Sequence, residues 1–154
     1  MRRKLAVVFI CLAFLLAIAS CATPKDKVIA SLGEYETKEF FSSGGIQDYT
    51  FYAKYYFTTA NVAQNDYFNK IKETDFSNIN KHLDDFDGWI EISAPSSEVV
   101  VNYDFDRGII DTEDYFYIYS EEHTWDSGYT TLVNYNIYLF DIQTQVLYYF
   151  HNNI

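Results

Sequence analysis

Beyond Gly88, the type of side chain recurs at every second residue along much of the chain. This alternation constrains the fold more than any other feature of the sequence. Successive side chains of a β-strand point to opposite faces, so a period of two predicts strands. Tyr and Phe suit such strands because flat side chains pack well on a pleated, half-buried surface. The predicted strands cover residues 89–92, 98–103, 115–120, 131–140 and 145–151.

The connections between the last three strands predict how they pair. Residues 141–144 are short enough for a tight turn, so the strands on either side are predicted to form a hairpin. Residues 121–128 are interpreted as a longer hairpin loop. No helical crossover separates these strands, so we predict that the sheet is antiparallel.

Helical periodicity is confined to the chain before Gly88. One apolar stripe recurs at steps of three and four through Phe76, Ile79, Leu83 and Phe86. We predict a helix there, which Thr74 or Asp75 caps and which Gly88 ends. A shorter helix is predicted over 66–73. Residues 46–57 suit either a helix or a strand, and we favour a helix because Tyr residues recur at helical spacing.

These elements together predict an α+β domain, in which N-terminal helices pack on a C-terminal antiparallel sheet of about four to five strands. The same order occurs in cystatin-like and nuclear-transport-factor-like cones, an analogy of fold only. We place the domain at residues 40–154 and interpret 40–45 as a turn that enters it. Residues 1–20 are predicted to be a signal peptide, and 21–39 a lipidated cysteine and flexible tether.

The chain begins with a basic segment, Arg2, Arg3 and Lys4, followed by an uninterrupted apolar run over residues 5–19. Such a run spans about 22 Å as a helix, at about 1.5 Å per residue. A bilayer core needs about 30 Å, so the run is short for a stable span and suits a secretory signal.

The residues after this run, Ile18, Ala19, Ser20 and Cys21, resemble the lipobox of bacterial lipoproteins. The resemblance implies cleavage before Cys21 and a diacylglyceryl group on its sulfur. Two acyl chains give durable anchoring, so we expect a domain held at the cell membrane on its extracytoplasmic face. The alternative is an uncleaved anchor with an incidental cysteine, which also leaves the domain outside.

The chain carries a formal net charge of −11. Removal of Arg2, Arg3 and Lys4 with the leader leaves 8 basic and 22 acidic residues, a net charge of −14. This balance excludes nucleic-acid binding, which needs a surplus of Lys and Arg, and disfavours adsorption to anionic lipid. Cys11 would be lost with the leader, so Cys21 is the only thiol expected to remain and no disulfide is expected.

No nucleophile motif or phosphate-binding glycine loop occurs in the sequence, and we expect neither a cofactor nor catalysis. The three histidines, His82, His123 and His151, do not have the spacing of a zinc motif. We expect His82 on the exposed side of its helix.

Carboxylates cluster near the middle of the chain, and Asp104, Asp106 and Asp111 are weak calcium candidates. When Gly108 is aligned with the glycine of the standard calcium-binding loop, the residues at the ligand positions do not fit that loop. Asp104 or Asp106 with Asp114 is the only pair that we consider as an acid and base for glycoside hydrolysis. The alternative interpretation is that these residues serve turns and caps.

The aromatic residues suggest a binding surface. Tyr115, Tyr117 and Tyr119 alternate on one face of a predicted strand, and Trp125 lies in a polar loop. Tyr combines a large apolar body with a polar tip, so such a surface suits a protein, peptide or glycan partner. The alternative is that these tyrosines cover the sheet and bind no partner.

The stretch VNYDFDRGIIDTEDYFYIY, residues 101–119, and the ending LYYFHNN, residues 147–153, resemble a family of short, uncharacterised lipoproteins from low-GC, gut-type bacteria. The resemblance implies a cell-surface location and supplies no catalytic residues. We therefore expect a non-enzymatic binding domain. The alternative is a small enzyme or ligand pocket on a cone-shaped sheet, which a deep pocket with buried polar groups would favour.

Overall fold

The structure is a computed structural model that describes residues 26–45, 48–124, 126–128 and 130–153. The chain separates into two compact units, Met1–Ser31 and Leu32–Ile154. The proposed signal peptide with Ile18, Ala19 and Ser20, and the lipidation residue Cys21, lie outside the described residues. No helix in the described ranges is both long enough and apolar enough to cross a membrane.

In the first unit the structure describes one short helix, α1 (Lys27–Ser31). Asp26 begins it, because its carboxylate accepts hydrogen bonds from the backbone N–H groups of Val28 and Ile29, at 2.8 and 3.3 Å. The helix falls within the predicted tether.

The second unit contains the remaining elements in the order β1 (Thr37–Gly44), β2 (Tyr49–Tyr56), β3 (Asn69–Lys70), α2 (Phe76–Ile92), α3 (Glu98–Asn102), a 3-10 turn (Arg107–Ile109), β4 (Tyr115–Thr124), β5 (Thr130–Asp141) and β6 (Val146–Asn153). The strands form one sheet in the order β1-β2-β6-β5-β4-β3, and every neighbouring pair is antiparallel. The last strand of the chain therefore lies at the centre of the sheet, between the β1–β2 and β4–β5 hairpins.

The α+β class and the antiparallel sheet are confirmed, but the predicted order and number of elements were wrong. The sheet has six strands, and three of them precede the main helix α2. Residues 46–57, predicted as a helix, contribute β2, and the predicted entry turn at 40–45 lies largely within β1. Tyr52 and Ala53 are both fully buried, because both faces of this strand are covered there, so β2 lacks a clear period of two.

Three further local predictions were wrong. Residues 66–73 form turns and the two-residue strand β3 rather than a helix. The helix α2 passes through Gly88 and ends at Ile92, so residues 89–92 are helical. Residues 98–102 form α3, because the Ser97 hydroxyl caps that helix by accepting a hydrogen bond from the Val100 N–H at 3.3 Å.

The C-terminal hairpin agrees with its prediction. The strands β5 and β6 pair directly, and β5 ends at Asp141. The Asp141 carboxylate accepts hydrogen bonds from the N–H groups of Gln143 and Thr144, at 2.8 and 3.1 Å, which stabilises the turn. The hairpin loop predicted at 121–128 is shorter than expected, because β4 continues to Thr124.

The main core lies between α2 and one face of the sheet, which we call the core face. Its fully or nearly fully buried members include Tyr52, Ile79, Leu83, Phe86, Ile137, Leu139 and Phe150. The rings of Phe86 and Phe150 meet edge to face, with centroids 5.3 Å apart. These large side chains fill the space beneath the middle of the helix.

Candidate functional site

The sheet face opposite α2 carries two neighbouring rows of side chains, because residues paired directly across antiparallel strands share a face. The first row is Tyr119, Asn136, His151, Phe51 and Ser42, and the second is Tyr117, Tyr138, Tyr149, Ala53 and Phe40. We call this surface, together with Tyr49, the aromatic face.

One part of the aromatic face is packed as a secondary core. Tyr138 stacks on Tyr149 with ring centroids 4.8 Å apart, and Tyr117 lies 5.7 Å from Tyr138. The segment before β3 covers these rings, since Tyr67 contacts Tyr117 at 5.5 Å and Phe68 contacts Tyr138 at 6.4 Å. Tyr138 and Tyr149 are consequently buried.

The part near the β1–β2 hairpin is more open. Tyr49, Phe51 and His151 form a cluster with ring centroids 5.0 to 5.3 Å apart, and Phe40 lies 5.1 Å from Phe51. Phe40 is 40% exposed, whereas Tyr49 and Phe51 are partly buried. Large aromatic side chains left accessible in one contiguous patch are typical of a binding surface.

A shallow cavity of about 310 Å³ adjoins this cluster, lined by Ser42, Ser43, Gly44, Gly45, Tyr49 and Phe51. Gly44 determines its shape: φ is +117°, and a Cβ there would lie 2.2 Å from the carbonyl oxygen of Asp48. The described lining offers the Ser42 hydroxyl, backbone and two rings, and it includes no charged side chain. The Ser43 hydroxyl lies on the core face, where it accepts a hydrogen bond from the Val99 N–H at 3.0 Å.

A hydrogen-bond network orients His151. Its Nδ1 lies 3.0 Å from Asn136 Oδ1, which also accepts a hydrogen bond from the Tyr149 hydroxyl at 2.9 Å. An amide oxygen only accepts, so His151 Nδ1 carries a proton and donates. The imidazole is therefore held flat against Tyr49 and Phe51, with interplanar angles of 29° and 28°.

The three tyrosines predicted as a binding surface lie on the same side of the sheet, and Tyr117 and Tyr119 belong to the aromatic face, but all three differ in accessibility. Tyr119 is 45% exposed, while Tyr115 and Tyr117 are partly buried. The Tyr119 hydroxyl donates to the Glu121 carboxylate at 2.5 Å, and this hydrogen bond raises the pKa of Tyr119. Trp125, the fourth predicted contact, lies outside the described residues.

Sequence reasoning missed Phe40, Tyr49, Phe51 and His151 as one cluster. The available signal was the alternation of Tyr49, Phe51 and Ala53, which we interpreted as helical. The pairing of β2 with β6 brings His151 beside Phe51, and a contact between residues so far apart in the chain has no local signature.

The carboxylates considered for calcium are engaged in separate local contacts. Asp106 accepts a hydrogen bond from the Gly108 N–H at 2.8 Å, and Asp111 accepts one from the Glu113 N–H at 2.7 Å. Within the described ranges, no three His, Cys, Asp or Glu side chains gather closely enough to hold a metal ion.

Asp104 belongs to a different contact network. The hydroxyl of Tyr52 and the ammonium of Lys54 both donate to its carboxylate, each at 2.8 Å. Partial burial by itself would raise the pKa of Asp104, but these two donors outweigh it and lower the pKa. Lys54 also pairs with Glu39 at 2.7 Å, so the network ties β1, β2 and the segment after α3 together.

Asp114 is buried, so it does not form an exposed pair with Asp104 or Asp106. It accepts hydrogen bonds from the N–H groups of Asp111 and Ile142, both at 2.9 Å. Burial raises the pKa of this carboxyl despite those two donors. Its contacts join the start of β4 to the β5–β6 turn.

The prediction for His82 was wrong, because only 3% of this residue is exposed. It lies on the core side of α2, one position before Leu83, and its ring meets Tyr135 edge to face at 5.9 Å. Its Nδ1 lies 2.9 Å from the carbonyl oxygen of Asn78, one turn earlier in the helix.

The chain matches no protein-family model, and neither a curated protein nor a solved structure is significantly similar to it. The aromatic face offers partly exposed rings, hydroxyl groups and amides on one face of the sheet, and these groups suit recognition by contact.

Proposed function

We propose that this chain is a lipoprotein anchored through Cys21 on the extracytoplasmic face of a membrane, and that its domain binds a neutral glycan on the aromatic face. The leader sequence supports the first part. The observation that carries the second part is the cavity beside Tyr49 and Phe51, whose described lining is uncharged in a strongly acidic chain.

A glycan fits this surface better than a charged partner does. A sugar ring presents an apolar C–H face, which packs on an aromatic ring, and a rim of hydroxyl groups, which need hydrogen-bond partners. Tyr49 and Phe51 supply the rings, and Ser42 supplies a hydroxyl group. A peptide partner is the other outcome that the experiment below distinguishes.

The length of the surface favours an oligosaccharide over a single sugar. The row from Ser42 to Tyr119 crosses five strands, and neighbouring strands lie about 4.8 Å apart, which gives a length of about 19 Å. Phe40 and Tyr119 place exposed rings towards the two ends of this surface.

We further propose that the domain is a cystatin-like or nuclear-transport-factor-like cone. It is supported by the long helix α2 on one face of a single antiparallel sheet. Large side chains such as Phe86 and Phe150 fill the middle of the core face. This filling favours the aromatic face for the glycan.

The anchor is tested by metabolic labelling with a radioactive or clickable palmitate in bacteria that express the full chain. We expect the label on the wild-type chain and its loss in Cys21→Ser, since that sulfur is the proposed acylation site. Cys11→Ser is the matched control and should keep the label. Label that persists in Cys21→Ser, or that disappears in Cys11→Ser alone, would refute the assignment.

The glycan proposal is tested with the full chain in non-ionic detergent on an array of neutral polysaccharides and unrelated peptides. We expect glycan binding that weakens about tenfold in Phe40→Ala and in Tyr119→Ala, as expected when an aromatic anchor is removed. Ile92→Ala is the control, because Ile92 is 85% exposed and lies on α2, away from the sheet face. Binding only to peptides, or equal losses in all three variants, would contradict the proposal.

A further inference from the structure

The strand β1 forms one edge of the sheet, and no described strand pairs with its outer side. It pairs with β2 over all eight of its residues without a break in register. The Gly45 N–H donates to the Asp48 carbonyl oxygen at 2.8 Å, and in an antiparallel pair such hydrogen-bonded positions alternate with outward-facing ones. The backbone N–H and C=O groups of Lys38, Phe40 and Ser42 therefore point away from β2.

The contacts and exposure of these three residues agree with an open edge. All three are exposed, whereas the residues between them are partly buried. The Ser42 N–H donates to the Glu98 carboxylate at 3.2 Å, which it reaches only because it faces outward. Within the described residues, the outward backbone groups of Lys38 and Phe40 have no such partner. An edge of this kind is a template for pairing with another chain.

The opposite edge of the sheet is protected against such pairing. The short strand β3 covers Tyr115 and Phe116 at the start of β4. Further along β4, the register with β5 shifts between Glu121 and Glu122, which marks a bulge, and both of these acidic residues are exposed. Bulges and exposed charges are two of the ways in which proteins prevent edge strands from pairing. The strand β1 has neither a bulge nor two adjacent like charges.

We propose that β1 pairs antiparallel with β1 of a second copy of this chain, about a two-fold axis that places Phe40 opposite the partner's Phe40. In this symmetric arrangement Lys38 lies opposite the partner's Ser42, and Ser42 opposite the partner's Lys38. A register centred one residue earlier would oppose two Glu39 side chains, and one centred two residues earlier would oppose two Lys38 side chains; like charges disfavour both. A register centred one residue later would move Lys38 opposite the partner's Gly44.

Charge complementarity favours the register centred on Phe40. The Lys38 ammonium lies 5.5 Å from the centroid of the Phe40 ring, and within the described ranges neither Lys38 nor Glu98 forms an ion pair. In the dimer the carbonyl oxygen of the partner's Lys38 accepts the hydrogen bond of the Ser42 N–H. The Glu98 carboxylate is thereby released to pair with the ammonium of the partner's Lys38. Two such pairs per dimer offset part of the repulsion between two acidic chains.

The pairing also gives the exposed Phe40 ring an apolar contact. Phe40 is 40% exposed and lies on the aromatic face, 5.1 Å from the Phe51 ring. Opposite the partner's Phe40 it loses contact with water, and aromatic pairs across neighbouring strands are stabilising. The aromatic faces of the two copies then meet at the two-fold axis. This consequence for glycan binding rests on the proposed function: a polysaccharide that contacts both copies would bind with avidity.

Disulfide trapping tests the register. In the full chain with Cys11→Ser and Cys21→Ser, in non-ionic detergent, Phe40→Cys introduces a single thiol. Directly opposed residues of a hydrogen-bonded pair have Cα atoms about 5.5 Å apart, within the range of about 4.4–6.8 Å that a disulfide spans. We expect mild oxidation to link Phe40→Cys chains at least about tenfold faster than Tyr119→Cys chains, the control at a similarly exposed ring on β4. Equal rates, or no linked Phe40→Cys dimer, would overturn the proposed pairing.

Sedimentation equilibrium of the full chain with its native cysteines, in density-matched detergent, tests the charge pair. We expect a dimer with a dissociation constant of about 10–100 µM, weakened about tenfold by Lys38→Glu and by Glu98→Lys and restored when both are combined. Lys72→Glu, an equal change of charge at an exposed position before α2, should have a smaller effect.

A chain that stays monomeric to about 500 µM would overturn the proposal. So would a loss in Lys72→Glu equal to that in Lys38→Glu, or a double variant that does not recover. Neither experiment contains a glycan, so failure here is distinct from failure of the proposed function.

Discussion

At the scale of single residues, Gly44 is the position where the backbone most strictly requires a particular amino acid. Its φ of +117° is costly for any residue with a Cβ, and the carbonyl oxygen of Asp48 occupies the space of that atom. The residue lines the cavity of the aromatic face, so the shape of the proposed site depends on it.

We predict that Gly44→Ala lowers the free energy of unfolding by about 1–3 kcal/mol, because it combines backbone strain with a steric conflict. Gly88→Ala is the matched control. Gly88 lies inside α2, nothing lies within 4 Å of an added Cβ, and Ala is the better helix former by about 1 kcal/mol. Urea unfolding of the full chain should therefore move in opposite directions in the two variants, and a shift in the same direction would contradict this account.

Individual residues also show where sequence reasoning about the site was limited. Tyr119 was identified because it alternates within a strand that the sequence marks clearly. His151 and Phe51 were missed because their contact depends on the pairing of β2 with β6, which only the assembled sheet determines. Strand pairing brings together residues that lie far apart in the chain, and the local periodicity of the sequence does not predict which strands pair.

At the scale of elements, strands β4 to β6 were predictable because two signals both indicate strands: the alternation of side chains and the turn residues between the alternating segments. The strand β2 was not, since Tyr49, Tyr52 and Tyr56 suit helical spacing and burial on both faces removes the alternation. The helix α3 was missed for a different reason. Its Val99, Val100 and Val101 favour a strand, but the cap from Ser97 and the contact of the Val99 N–H with the Ser43 hydroxyl, at 3.0 Å, determine the local structure.

Substitutions in α3 give a prediction that distinguishes a helix from a strand in this segment. In a strand, Val99 and Val101 would share one face, whereas in α3 Val99 is fully buried and Val101 is 67% exposed. We predict that Val101→Asp changes the free energy of unfolding by less than about 0.5 kcal/mol. Val99→Asp should cost more than about 3 kcal/mol, because it buries a charge. Similar losses in denaturant melts of the two variants would argue for a strand at 98–103.

At the scale of the whole molecule, negative charge is the dominant feature. The sequence has 22 acidic and 11 basic residues, and most of the basic side chains with described ion pairs contact carboxylates at the surface. Exposed pairs of this kind contribute little to stability and are weakened by salt. The surplus of carboxylates, by contrast, repels itself in the folded state, and salt relieves that repulsion.

These two effects of salt have opposite signs, so their balance can be measured. At pH 7 the net charge is −11, and we predict that the melting temperature of the full chain rises as NaCl increases from about 0.05 to 0.5 M. Near pH 4.5, the isoelectric point of the sequence, the repulsion is absent and the same increase in salt should leave the melting temperature unchanged or lower it. Thermal melts at the two pH values in the same detergent make the comparison. A melting temperature that falls with salt at pH 7 would mean that the ion pairs of Lys54, Lys81 and Arg107 outweigh the net charge, and that the acidity of this chain has little effect on its stability.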